Sequence, residues 1–147
     1  MPGLRALVIG YGNEIRGDDG VGPYVANLVE TWSLPGVRCC TVHQLTPELA
    51  ALAADAALAI FIDACPAEAG QAVRVYPVEP EPGKSGVGHT ANPRTLLDLA
   101  KTVYGRCPTA YLVAIPGTDF GFGTELSPAA LRGAQESLPV IRELLER

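Results

Sequence analysis

Three short apolar runs constrain the fold of this chain more than any other feature: Leu4–Gly10, Ala57–Ile62 and Ala110–Ile115. Each has the length of a strand and falls far short of the ~20 apolar residues that span a bilayer. They are continuous rather than alternating, with only Arg5 interrupting the first, so they predict strands covered on both faces, as in a parallel sheet. Parallel strands need crossovers, and helical patterns fill the intervals. Val21, Val25, Leu28, Val29 and Trp32 are spaced to cover one helix face. Thr46-Pro47-Glu48 opens a short helix, with a hydroxyl cap, a proline at the first helical position and an acid in the first turn. Asn92-Pro93 begins another by the same logic, directing Leu96, Leu97, Ala100, Val103 and Tyr104 inward until Gly105 stops it. Ser127-Pro128 opens the last, whose apolar face is Leu131, Leu138, Ile141 and Leu145, and Pro139 inside that pattern should kink or split it.

Two further strands complete the alternation. Val37–Val42 follows the Pro35-Gly36 turn, and Gln71–Val78, with Val73 and Val75 alternating against polar neighbours, reads as a more exposed strand near an edge. Glu79–Gly88, rich in Pro, Gly and Glu, reads as a loop. The order predicts a single α/β domain over residues 1–147, with a mostly parallel sheet and helices on both faces. Ligand sites in such sheets lie at the carboxyl ends of the strands.

Composition narrows the partners. Acids outnumber bases 16 to 11, for a net charge of -5, and no dense basic stripe invites nucleic acid. The opening MPGLRALVIGYGN lacks a secretory apolar region with a cleavage site, and no stretch is long enough for a membrane span, so a cytoplasmic protein is expected. None of the four cysteines (Cys39, Cys40, Cys65 and Cys107) lies in a C-x-x-C pair, and adjacent Cys39 and Cys40 on a strand face opposite sides. That argues against a zinc ribbon or disulfide framework and for reduced, partly buried thiols.

Chemistry concentrates where strands end. Gly10-Tyr11-Gly12-Asn13-Glu14-Ile15-Arg16-Gly17-Asp18-Asp19-Gly20-Val21-Gly22 leaves the first strand and enters a helix. A dinucleotide fingerprint would need glycine at Ile15, and Asp18 and Asp19 place negative charge where a pyrophosphate would sit. Consecutive acids suit a cation better, with Asp18 capping the helix and Asp19 free to reach a site; simple capping by either is the bland alternative. Asp63 closes a central strand, as a crevice carboxylate or a turn residue in Asp63-Ala64-Cys65-Pro66. Cys65 would share its face if the strand continued, but Pro66 argues for a buried or rim thiol. His89, in Gly86-Val87-Gly88-His89-Thr90 before a helix start, can present a neutral imidazole to a metal, or be an ordinary loop histidine. His43, the other histidine, ends the second strand and reads as a hydrogen-bonded rim residue. Two carboxylates and an imidazole suit a divalent ion such as Zn²⁺ or Ni²⁺ with open coordination positions. No G-x-S-x-G elbow signals a covalent nucleophile.

These residues resemble the hydrogenase maturation endopeptidases from Leu7 to about Leu145. The resemblance is carried by G-x-G-N and D-D-G-x-G within Gly10–Gly22, F-I-D-A at Phe61–Ala64 and G-H-T at Gly88–Thr90. Val103-Tyr104-Gly105 and Leu126-Ser127-Pro128 extend it. It implies a three-layer α/β/α sandwich around a twisted sheet of five strands. It further implies removal of the C-terminal extension from a NiFe hydrogenase large-subunit precursor after nickel insertion. Carried over residue by residue, the family's metal-binding and catalytic trio falls on Asp19, Asp63 and His89. Many members have Glu where this chain has Asp19, one methylene shorter. The ion is expected to be Ni²⁺ presented by the substrate, with no organic cofactor. The segment His43–Leu49 is similar to the subgroup serving NAD-linked bidirectional hydrogenases. Two rival readings remain: a non-catalytic, chaperone-like module that binds the nickel-loaded large subunit, and a nucleotide-binding α/β protein.

Overall fold

The computed structural model describes residues 3–67, 70–83 and 91–147. Its elements are β1 (Leu4–Tyr11), a single 3₁₀ turn (Gly17–Gly20), α1 (Val21–Glu30), β2 (Val37–Val42), α2 (Leu49–Ala54) and β3 (Ala56–Pro66). They continue with β4 (Arg74–Val78), α3 (Pro93–Tyr104), β5 (Thr109–Gly117) and α4 (Pro128–Glu146). The five strands form one sheet in the order β2-β1-β3-β5-β4. All neighbours are parallel except β4, which pairs antiparallel with β5 at the edge. The architecture is the expected α/β/α sandwich.

The continuous apolar runs earn their central places. Leu7, Val8, Ile9, Ile60, Phe61 and Ile62 are fully buried, because β1 and β3 are covered on both sides. Alternation sends Val8, Ile60 and Ile62 to one face, against Val21, Val25 and Val29 of α1 and Ile141, Leu144 and Leu145 of α4. Leu7, Ile9 and Phe61 go to the other, against α2 and against Leu96 and Leu97 of α3. Cys39 and Cys40 divide in the same way, one packed on each cluster, and all four cysteines are free thiols.

Several expectations are corrected. Pro139 does not split α4, which runs unbroken from Pro128 to Glu146. A helical proline costs ~3 kcal/mol, and the turns on both sides of it are held down by Ala130, Ala134, Ile141, Leu144 and Leu145. Leu131 is 40% exposed, the buried stripe passing instead through the smaller Ala130, Gly133, Ala134 and Ser137. Val103 and Tyr104, at 60% and 52% exposed, lie beyond the part of α3 that touches the sheet. Helix α2 starts at Leu49 without a side-chain cap, because the Thr46 hydroxyl is engaged by the Glu48 carboxylate. Strand β3 reaches Pro66, its last residue, which pairs with Gly117, so the proline does not stop the strand short of Cys65. Cys65 is therefore two strand positions beyond Asp63, on its side of the sheet, and is exposed rather than buried.

Candidate functional site

The site begins where β1 and β3 run out together. Gly10 pairs with Ile62, which sets Tyr11 beside Asp63 at the carboxyl ends of adjacent strands. The chain then turns at Gly12, whose φ of 148° no side chain tolerates well, and a Cβ there would collide with the Asp19 carbonyl. Gly22 serves the same closeness from α1, since a Cβ would strike the carbonyl of Ile62. These two glycines let the loop and the helix start lie directly over the strand ends.

Asp19 and Asp63 lie near enough there for the charge of Asp19 to be felt at Asp63. Asp19 is half-buried, and its Oδ2 accepts the Asn13 amide at 2.7 Å. Asp63 is half-buried too, accepting from the Tyr11 hydroxyl and the Ala64 amide. Burial pushes the Asp63 carboxyl up from 3.8 to about 6, against the pull of those hydrogen bonds, and the negative charge of Asp19 adds to the rise. Burial likewise drives the Tyr11 phenol far above its ordinary range, reinforced by Asp63 and then Asp19. Tyr11 therefore stays a neutral donor that orients Asp63. The sequence reading missed Tyr11; its one signal was its place between Gly10 and Gly12 at the strand end.

The donor set fits a cation. A carboxylate such as Asp63, whose ionised form is opposed by burial and by a neighbouring negative charge, would be relieved by a positive ion between the two. Among the described residues no group of three His, Cys, Asp or Glu gathers to hold a metal. His89, the expected third member, lies outside the described residues. His43 is exposed just past Val42, which pairs with Tyr11. The phosphate-cradle alternative finds no support in this loop, where the Asn13 amide is already taken by a carboxylate.

Asp18 behaves differently from the expectation. Neither the 3₁₀ turn nor α1 has a side-chain cap. The Asp18 side chain is fully buried and reaches across to the β5–α4 connection instead. It accepts the amides of Thr118 (2.8 Å), Asp119 (2.9 Å) and Ser127 (2.7 Å) and the Ser127 hydroxyl (2.6 Å). Burial alone would raise its pKa, but these bonds outweigh it and hold the carboxyl below the usual range. Ser127 in turn caps α4 by accepting the Ala130 amide.

HycI, a NiFe hydrogenase maturation protease from Thermococcus kodakarensis KOD1, superposes with a TM-score of 0.73 at 23% identity, covering 97% of this chain and 93% of that one. The fold is that of the hydrogenase maturation proteases. The hydrogenase 2 maturation peptidase of Thaumarchaeota archaeon SCGC_AB-539-E09 matches at 0.69 and 23% identity, over 97% and 98% of the two chains. The maturating endopeptidase HybD of E. coli matches at 0.69 and 18%, over 97% and 93%. No family model and no curated protein sequence matches the chain. Among the described residues no helix is long and apolar enough to cross a membrane.

Proposed function

We propose that this chain is a hydrogenase maturation endopeptidase, which removes the C-terminal extension of a NiFe hydrogenase large-subunit precursor once nickel is seated. One observation carries the reading: Asp19 and Asp63 converge at the carboxyl ends of β1 and β3, in a fold shared end to end with proteins of that activity. The nickel belongs to the substrate. Asn13 holds Asp19, and Tyr11 with Ala64 holds Asp63, so both carboxylates are oriented before the ion arrives. Their mutual repulsion is a reason to engage a precursor that brings a dication and to ignore one that does not. His89 supplies the third contact. When engaged, the ion contributes Lewis-acid polarisation. The work takes place in the cytoplasm, in keeping with four free thiols.

The test is the mass of the precursor C-terminus after incubation with this protein. Nickel-loaded precursor should be shortened and nickel-free precursor left whole, while Asp63→Asn and His89→Ala leave both intact. Equal cutting of both precursors would sink the nickel requirement. Stable complex formation without any cutting would instead favour the chaperone-like module. The segment His43–Leu49 leaves β2 at the same sheet edge, and we assign it to the choice of an NAD-linked bidirectional hydrogenase. Preference for that precursor over others, measured side by side, checks the assignment.

A further inference from the structure

Asp63 shares its sheet face with an exposed cation. It pairs with Ala114 of β5, and Ala114 pairs in turn with Arg74 of β4. Residues paired across a sheet carry their side chains on one face, so Arg74 projects on the Asp63 side, two strands away. The packing agrees. Ile62, Val113 and Val73, each a chain neighbour of one of these three residues, all belong to the cluster on the opposite face. Two strand spacings put the Asp63 and Arg74 backbones ~10 Å apart, a span that about three residues of extended chain would cover.

Arg74 is exposed, and its guanidinium donates to the Tyr76 hydroxyl and lies close enough to the Cys65 thiol to interact with it. Cys65 is itself exposed, two positions beyond Asp63 on the same face, so the side chain reaches back toward the strand ends where Asp63 stands. Ala114 between them is covered and offers only a methyl group, so a chain running from Asp63 to Arg74 passes over Cys65. Among the described residues, the arginines held in ion pairs are Arg94, Arg106 and Arg147. Arg74 keeps its charge for a ligand, and the bond to Tyr76 orients the guanidinium in advance.

The result is a polar axis along the sheet end, with Asp19 and Asp63 at its negative end and Arg74 at its positive end. A ligand that complements it carries a cation at one point and a carboxylate a few residues further on, since a guanidinium takes a carboxylate through two parallel hydrogen bonds. We propose that Arg74 is a specificity-determining residue that receives an acidic side chain of the precursor's C-terminal extension, about three residues beyond the scissile bond. The proposal rests on the protease reading for the identity of the ligand and adds which feature of its extension is selected.

The experiment measures steady-state cleavage of nickel-loaded precursors that carry either Glu or Gln within about four residues beyond the scissile bond, with binding followed separately by sedimentation. Wild type should show a KM roughly tenfold lower for the Glu precursors at equal kcat, and added salt should shrink the difference. Arg74→Gln should abolish the preference, Arg74→Lys should keep part of it, and Arg74→Glu should favour a precursor bearing Lys at those positions, all with the wild-type melting temperature. No preference in wild type, a preference that survives in Arg74→Gln, or one set by Glu placed before the scissile bond would overturn the proposal and leave the protease reading in place. If wild type binds precursor without cutting it, the protease reading fails. A Glu preference in binding that Arg74→Gln abolishes then still supports the subsite, and its absence overturns it.

Discussion

Asp18 and Asp63 are the same residue type in neighbouring parts of one structure, and they titrate in opposite directions. Asp18 is fully buried but receives three backbone amides and a hydroxyl, so its ionised form is stabilised in the fold. Asp63 is less buried yet has fewer donors and faces another carboxylate, so its ionised form is disfavoured. Depth of burial therefore does not decide the sign; the balance of donors against desolvation does. One region holds the β5–α4 connection on the glycine loop. The other leaves charge incompletely satisfied at the strand ends.

That contrast can be broken most forcefully at Asp19 and Asp63. Asp19→Asn and Asp63→Asn should each lower precursor cleavage by roughly 10²–10⁴-fold without lowering the melting temperature. A variant that cuts normally would remove its carboxylate from the site. Asp18→Ala should do the reverse, costing about 2–4 kcal/mol of stability in urea unfolding, since three amides are left without an acceptor in the interior. Its activity should fall only as far as the folded fraction falls, and full stability would show that the clamp carries little.

The pH dependence sharpens the comparison further. The Asp18 carboxyl is depressed in the fold, so its contribution is present above the unfolded carboxylate pKa and is lost as pH falls through the folded value. The Asp63 carboxyl is raised to about 6, so wild type loses stability as pH climbs from about 4 to about 6. Asp63→Asn should therefore be the more stable protein above pH ~6, by on the order of 1–3 kcal/mol, and the gap should close toward pH ~4. Paired urea titrations across that range measure it, and a gap independent of pH would contradict the assignment. Smallest is the effect of Tyr11→Phe, about 1 kcal/mol. Loss of that donor should raise the Asp63 carboxyl further, read from its carbon chemical shift by NMR titration; a fall would mean that Tyr11 does not donate to it.

Much of this arrangement is legible in the residues. The parallel strands announced themselves as uninterrupted apolar runs, and β4 as an exposed edge strand by its polar alternation. Asn92 and Ser127 cap α3 and α4 as their hydroxyl or amide followed by proline suggested. Asp63 ends an apolar run, which is enough to place it at a carboxyl edge. Val103 and Tyr104 misled because periodicity gives a face but not how far along the helix the sheet extends, and Leu131 because the buried stripe follows the smaller Ala130, Gly133, Ala134 and Ser137. Tyr11 had no periodic signal at all.

Which segments become strands and helices, and that acids cluster where strands end, can be read from the residues alone, because burial period and turn chemistry are local properties. What the residues could not reveal is that Asp18, expected to cap a helix, instead clamps a connection a hundred residues away. Hydrogen-bond donors to a carboxylate come from whatever the fold brings near, as Thr118, Asp119 and Ser127 are brought to Asp18. Partners of that kind leave no trace in the spacing of the residue they satisfy.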